Sequence, residues 1–80
     1  MRYASGEVPR LGDRVAIDAR YRGTVVACIG RDHPPEYPAA EWAYLERGLL
    51  IDTDFAGLVH YPDPEHEPIT LIARATPRVV

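Results

Sequence analysis

Apolar and β-branched residues recur in five short runs along the chain, and polar or turn-forming residues separate the runs. Val, Ile and Thr favour extended backbone, and successive side chains of a strand point to opposite faces of a sheet. The pattern predicts β-strands over residues 14–18, 23–29, 49–53, 58–61 and 69–73. The second run is apolar on both faces, which predicts a central or strongly curved strand.

A long connection, residues 30–47, separates the second and third runs. Its first half contains three prolines, which remove backbone donors and bias the preceding residues toward extended backbone, so this half is predicted to be irregular. Its second half is rich in Ala, begins after Pro38 and ends before Gly48, which predicts a short helical turn. Loops of this length are uncommon in compact domains and are usually functional.

Length and charge narrow the classes of protein. Eighty residues form a single domain, residues 1–80, with a small core, and closing the sheet would remove its edges without a large interior. The formal net charge of −3 disfavours a general binder of phosphate backbones and suits a basic protein partner. The single cysteine, Cys28, is predicted to be a buried hydrophobe. No signal peptide or membrane span is recognisable, so we expect a cytoplasmic protein that contacts no membrane.

The hairpin of residues 12–29 resembles the opening of a small Src-homology-3-like β-barrel, and within that group it resembles the KOW motif. The residues that carry the likeness are Gly12, Asp13, Val15, Gly23 and Val25. The resemblance implies an all-β domain, a five-stranded barrel with a long loop that carries a short helical turn between strands 2 and 3. KOW modules that bind RNA or ribosomal proteins tend to be basic, whereas this chain is acidic.

Four short segments of the sequence resemble segments of a group of small bacterial proteins of unassigned function. They are Tyr-Ala-Ser-Gly-Glu at residues 3–7, Leu-Gly-Asp-Arg-Val at 11–15, Glu-Trp-Ala-Tyr-Leu at 41–45 and Gly-Leu-Val-His-Tyr at 57–61. This resemblance implies no particular activity. By analogy, small acidic single-domain proteins of this kind are often immunity proteins encoded beside secreted toxins.

Aromatic side chains are the strongest candidates for partner binding, because Tyr and Trp combine large contact area with one polar group and are enriched at binding hot spots. The set comprises Tyr37, Trp42, Tyr44, Phe55 and Tyr61. Src-homology-3-like domains carry aromatics on long loops, where they form peptide grooves. For Trp42 the favoured interpretation is packing, with Trp42 and Leu45 capping an open end of the barrel. Tyr37, beside the prolines, suits partner contact and packing equally well.

Polar candidates are weaker. Asp52 and Asp54 alternate onto one strand face, where they form an acidic patch for a basic partner or a solvated strand end. Two metal sets can be drawn, namely His60, Asp63 and His66, and Asp32, His33 and Glu36. Neither set has a known zinc spacing, and residues 61–68 are better interpreted as a stiff, exposed acidic loop. No cofactor motif or catalytic constellation is recognisable.

These features predict a non-catalytic module that binds a basic protein and no nucleic acid; its most specific form is an immunity-type inhibitor that covers a basic active site of a secreted bacterial toxin. The candidate partner-binding residues are Tyr37, Trp42, Tyr44, Asp52, Asp54 and Tyr61. The alternative is a KOW-like or Tudor-like module that binds RNA or the transcription–translation machinery through the one basic cluster, Arg10, Arg14, Arg20 and Arg22. An enzyme is the least favoured class.

Overall fold

Five strands form one antiparallel sheet in the computed structural model, which describes residues 1–75. The strands are β1 (Arg14–Ile17), β2 (Tyr21–Cys28), β3 (Leu49–Thr53), β4 (Gly57–Tyr61) and β5 (Ile69–Ala73). A short helix, α1 (Ala39–Trp42), and a 3-10 turn (Ala43–Leu45) lie between β2 and β3, and a second 3-10 turn (Pro64–His66) lies between β4 and β5. The predicted strands and the predicted helical turn are thereby confirmed, with ends that differ by at most two residues.

The sheet is not closed into a barrel by hydrogen bonds within residues 1–75. The strand order is β4-β3-β2-β1-β5, so β4 and β5 lie at opposite edges and do not pair with each other. The expectation of a closed barrel is therefore wrong at the level of backbone pairing. Pro62 directly follows β4 and Pro68 directly precedes β5, and a proline cannot donate the backbone hydrogen bond that a further rung requires.

A bulge in β2 lets this strand supply side chains to two apolar clusters. Its pairing with β3 shifts register between Val25, opposite Ile51, and Ala27, opposite Leu50. One extra residue at a bulge bends the strand and changes which face the following side chains occupy. This explains why the second run is apolar on both faces.

The inner cluster lies on one face of the sheet and is the larger of the two. Its fully or nearly fully buried members are Tyr3, Val15, Ile17, Val25, Cys28, Leu49, Ile51 and Ile69. The predicted burial of Cys28 is confirmed. Tyr3 shows that the N-terminal segment also folds against this face.

The outer cluster lies under the long connection. Ala27, Ile29 and Leu50 are buried there, and Val26, Tyr37, Trp42 and Leu45 pack against them. The connection therefore folds back over the outer face of β2 and β3. Within residues 1–75, no helix has the length and apolar character needed to cross a membrane.

Candidate partner-binding site

The irregular half of the connection is held in place by His33. The Gly30 N–H donates to His33 Nε2 at 2.9 Å, and His33 Nδ1 lies 3.0 Å from the Tyr37 carbonyl oxygen. Because the Gly30 N–H donates to Nε2, the proton available for a hydrogen bond is on Nδ1, which donates to the Tyr37 carbonyl oxygen. The Tyr37 N–H in turn donates to the Pro34 carbonyl at 2.9 Å. These bonds fix the backbone of Tyr37, although the segment has no regular structure.

The rings of Tyr37 and Trp42 meet edge to face, with centroids 5.7 Å apart and planes at 61°. Both side chains are half-buried and pack on the outer cluster. Trp42 therefore has the packing role favoured from the sequence, but it covers the outer face of the sheet and not a barrel end. Aromatic pairs in this geometry add about 0.5–1.5 kcal/mol beyond the area they bury.

Tyr37 also lines an apolar groove with a volume of about 380 Å³. The groove lies where the segment before β1, the outer face of β2 and the long connection meet. Its lining consists of Leu11, Gly12, Thr24, Val25, Val26, Pro34, Glu36 and Tyr37. Glu36 is the one charged residue among them. The groove thus offers exposed apolar surface with a single carboxylate.

A second depression of about 270 Å³ adjoins the groove at Thr24, which lines both. Asp52 and Asp54 lie here, both exposed, while Thr53 between them is buried. The predicted sharing of one face by the two carboxylates is therefore confirmed. Arg14 and Arg22 line the same depression, so the charge of this surface is mixed and not purely acidic.

The remaining predicted aromatic residues lie outside both depressions. Tyr44 is 73% exposed on the 3-10 turn after α1. Phe55 is 49% exposed, and its ring centroid lies 4.5 Å from that of Tyr21. Tyr61 is half-buried against the inner cluster, and burial raises the pKa of its hydroxyl. The predicted site residues therefore do not form one surface; Tyr37 and Trp42 form one pair, and Asp52 and Asp54 form another.

A buried polar network centres on Asp13, which the sequence marked only as one of the residues that carry the Src-homology-3-like resemblance. Asp13 is fully buried, and its Oδ2 accepts from the Tyr3 hydroxyl at 2.6 Å, the Arg10 N–H at 2.9 Å and Arg74 at 2.9 Å. Its Oδ1 has no partner among the described residues. Burial, together with the hydrogen bond to Asp13, raises the pKa of the Tyr3 hydroxyl far above its usual value.

Cys28 is also unsuited to nucleophilic chemistry. Its side chain is fully buried, and burial raises the pKa of its thiol, which keeps the unreactive protonated form. The Arg31 guanidinium lies 3.5 Å from the sulfur and donates to the Pro9 carbonyl. Through these two contacts, Arg31 holds the start of the long connection against the N-terminal segment.

The metal sets drawn from the sequence are rearranged in the structure. Asp63, Glu65 and His66 bring their ligand atoms within 4.8 Å of one another at the second 3-10 turn. His66 Nδ1 lies 2.7 Å from Asp63 Oδ2, and this hydrogen bond raises the pKa of His66. His60 is not part of the group, because its Nε2 lies 2.8 Å from the Arg47 carbonyl oxygen. The contact between His66 and Asp63 explains why these side chains lie close together on an exposed turn.

Comparison of the chain with protein-family models, curated proteins and solved structures finds no match. The resemblances to Src-homology-3-like and KOW domains therefore stay predictions. The candidate binding surfaces are two adjoining parts of β2: the apolar groove beside Tyr37 and the charged depression around Asp52.

Proposed function

We propose that this chain is a non-catalytic protein-binding module with a Src-homology-3-like arrangement of strands, and that it binds an apolar segment of a protein partner in the groove beside Tyr37. The observation that carries the proposal is the groove itself. Its walls are apolar and open to solvent, and Tyr37 is fixed by His33 and Trp42. A fixed aromatic wall loses little conformational entropy on binding, and burial of the apolar lining favours association.

The partner is proposed to be basic. The chain has a formal net charge of −3, and Glu36 places a carboxylate in the groove. Such charge raises the rate of encounter with a cationic partner more than it raises final affinity. The most specific form of the proposal is immunity-type inhibition of a secreted bacterial toxin, for which small size and acidic balance are the supporting features.

An RNA-binding module is the second candidate, and one observation favours it. Arg14 and Arg22 are both exposed and line one depression, as a phosphate contact would require. The carboxylates of Asp52 and Asp54 oppose this function because they lie in the same depression and weaken its positive potential. Binding of RNA that is lost well below physiological salt would reject this candidate.

The test of the main proposal is co-purification of the chain with the product of the neighbouring gene, followed by calorimetric titration of variants. The Tyr37→Ala variant should weaken partner association by about 1–2 kcal/mol, because it removes one wall of the groove. Tyr44→Ala is the matched control, since Tyr44 is exposed and lies outside the groove. Its affinity should equal that of the wild type.

Thermal unfolding separates binding from packing. Trp42→Ala should destabilise the fold by about 3 kcal/mol, because the indole covers the outer cluster. Tyr37→Ala should cost less, because one face of its ring borders the groove. Unchanged affinity in a folded Tyr37→Ala variant would refute the groove as the binding site, and the absence of any stable partner among neighbouring gene products would refute the proposed function.

A further inference from the structure

One row of side chains crosses the outer face of the whole sheet. The strand registers place Arg14 opposite Thr24, Thr24 opposite Asp52 and Asp52 opposite Leu58, while Ala73 lies on the other side of Arg14. Directly paired residues of neighbouring strands present their side chains to the same face. From β5 to β4, the row therefore runs apolar, cationic, hydroxyl, anionic and apolar.

The charged members of this row are exposed and have no ionic partner in the described part of the chain. The ion pairs within residues 1–75 join His66 to Asp63 and Arg74 to Asp13. Adjacent strands are about 4.8 Å apart, so the backbones of Arg14 and Asp52, two strands apart, are separated by roughly 10 Å with Thr24 between them. Arg14 and Asp52 of one chain thus form no ion pair with each other, and both face solvent.

The order of the row is self-complementary. If two sheets pack face to face about a two-fold axis that is parallel to β2 and lies between the sheets over Thr24, positions one strand to either side of β2 exchange. Arg14 of each copy then lies over Asp52 of the other, Thr24 meets Thr24, and Leu58 lies over Ala73. Isologous dimers require this kind of reciprocal pairing.

We propose that the outer face around Thr24 binds a second copy of this chain. Arg22 and Asp54 line the same depression one step along the strands, with Arg22 on the axis and Asp54 opposite Ala16 of the other copy, so the complementary charges are those of Arg14 and Asp52. Leu58, 39% exposed, supplies apolar area at the end of the row. The inference goes beyond binding at the groove, and it does not depend on that function.

Salt dependence is the first measurement, because exposed ion pairs are screened as the Debye length falls from about 30 Å at 0.01 M salt to about 3 Å at 1 M. Sedimentation equilibrium of the wild-type chain should show a monomer–dimer equilibrium at low salt. The dissociation constant should rise at least tenfold between those two salt concentrations. A chain that is monomeric at millimolar concentration in low salt would overturn the proposal.

Two charge-reversed chains provide the sharper test. One carries Arg14→Asp and Arg22→Asp, so its face is all anionic; the other carries Asp52→Arg and Asp54→Arg, so its face is all cationic. Each chain alone should be monomeric, because both contacts between position 14 of one copy and position 52 of the other become repulsions. Mixed in equal amounts, the two chains should associate at least as tightly as the wild type, because the opposite charges again meet.

Matched controls make the same charge changes away from the face, as Arg2→Asp with Arg47→Asp and as Glu41→Arg with Glu65→Arg. All four positions are exposed, and none lines the depression. Each control chain should self-associate as the wild type does, and circular dichroism checks that every variant is folded. If the control chains lose self-association, or if folded face variants retain it, the proposal is wrong. The Tyr37→Ala chain should self-associate as the wild type does, which would show that dimer formation and binding in the groove are independent.

Discussion

Asp13 offers a direct test of how the segment of residues 1–10 is held against the sheet. Its Oδ2 accepts from the Tyr3 hydroxyl, the Arg10 N–H and the Arg74 guanidinium, all at 2.6–2.9 Å. In the Asp13→Ala variant, the first of these donors is left buried without an acceptor. The variant should therefore lose much more stability than the removal of a few side-chain atoms would suggest.

The magnitude follows from the environment of each donor. Hydrogen bonds to charged groups contribute about 1.5–3 kcal/mol, and breaking a buried ion pair costs about 3–5 kcal/mol. The Arg74 side chain is 34% exposed, so water can partly solvate it in the variant, and the lower part of that range applies. We expect Asp13→Ala to lower the free energy of unfolding by about 3–4 kcal/mol.

Tyr3→Phe removes only the hydroxyl of a side chain that is otherwise fully buried. In the wild-type background it should cost about 1.5–2 kcal/mol, because it leaves Asp13 with one donor fewer. In the Asp13→Ala background the hydroxyl has no acceptor, so its removal should be neutral or stabilising. The double-mutant cycle should therefore give a coupling energy of at least about 1.5–2 kcal/mol.

Urea unfolding followed by circular dichroism measures all four corners of this cycle. A domain of this size has a net stability of only about 5 kcal/mol, so Asp13→Ala is close to the limit of folding. Asp13→Asn, which keeps the shape and an acceptor for Tyr3 but loses the charge for Arg74, should be intermediate. Equal costs of Tyr3→Phe in both backgrounds, or a loss below about 1 kcal/mol in Asp13→Ala, would refute this account of the network.

Two further predictions concern backbone strain and pH. Gly48→Ala should destabilise the fold by about 2 kcal/mol or more in urea unfolding, because φ is +98° there and a Cβ atom would meet the backbone carbonyl of Tyr61. Gly57→Ala is the control, because φ is +67° there but the space around it is open, and it should cost about 1 kcal/mol. Above about pH 10, Tyr3 alone should lower stability by roughly 1.4 kcal/mol per pH unit, because an unfolded tyrosine ionises there while Tyr3, whose pKa is raised, keeps its proton in the fold. Below pH 10 this contribution is fully present, and a Tyr3→Phe chain that loses stability just as steeply would contradict the assignment.

Strand positions could be predicted because turn residues mark their ends. The predicted bounds of β3 and β5 match the structure. The first predicted strand is one residue too long, because Asp18 and Ala19 have φ of +53° and +57° and form the turn into β2. Alternation of polar and apolar residues, with Thr53 buried between two exposed carboxylates, also gave the correct face for Asp52 and Asp54.

Long-range features could not be predicted from these patterns. Asp13 can be buried because Tyr3 and Arg74, ten and sixty-one positions away, donate hydrogen bonds to it. No pattern of neighbouring residues predicts that these three side chains come together. The groove likewise depends on where the connection of residues 30–47 folds back. Sequence pattern identified Tyr37 as a candidate, but its partners in the groove, Leu11 and Val26, come from segments that were not linked to it.

The outer face of β2 explains why two surfaces adjoin. From its end toward its start, Ala27 is buried beneath the connection, Val26 and Thr24 are half-buried at the margin of the cover, and Arg22 is exposed. Three parts of β2 therefore follow one another: the part under the long connection, the part that lines the groove and the part that lines the charged depression. The bulge after Val25 sets where the part under the connection ends. Since Thr24 lines both the groove and the charged depression, a protein in the groove and a second copy on the charged face would be immediate neighbours, so self-association would bear directly on access to the groove.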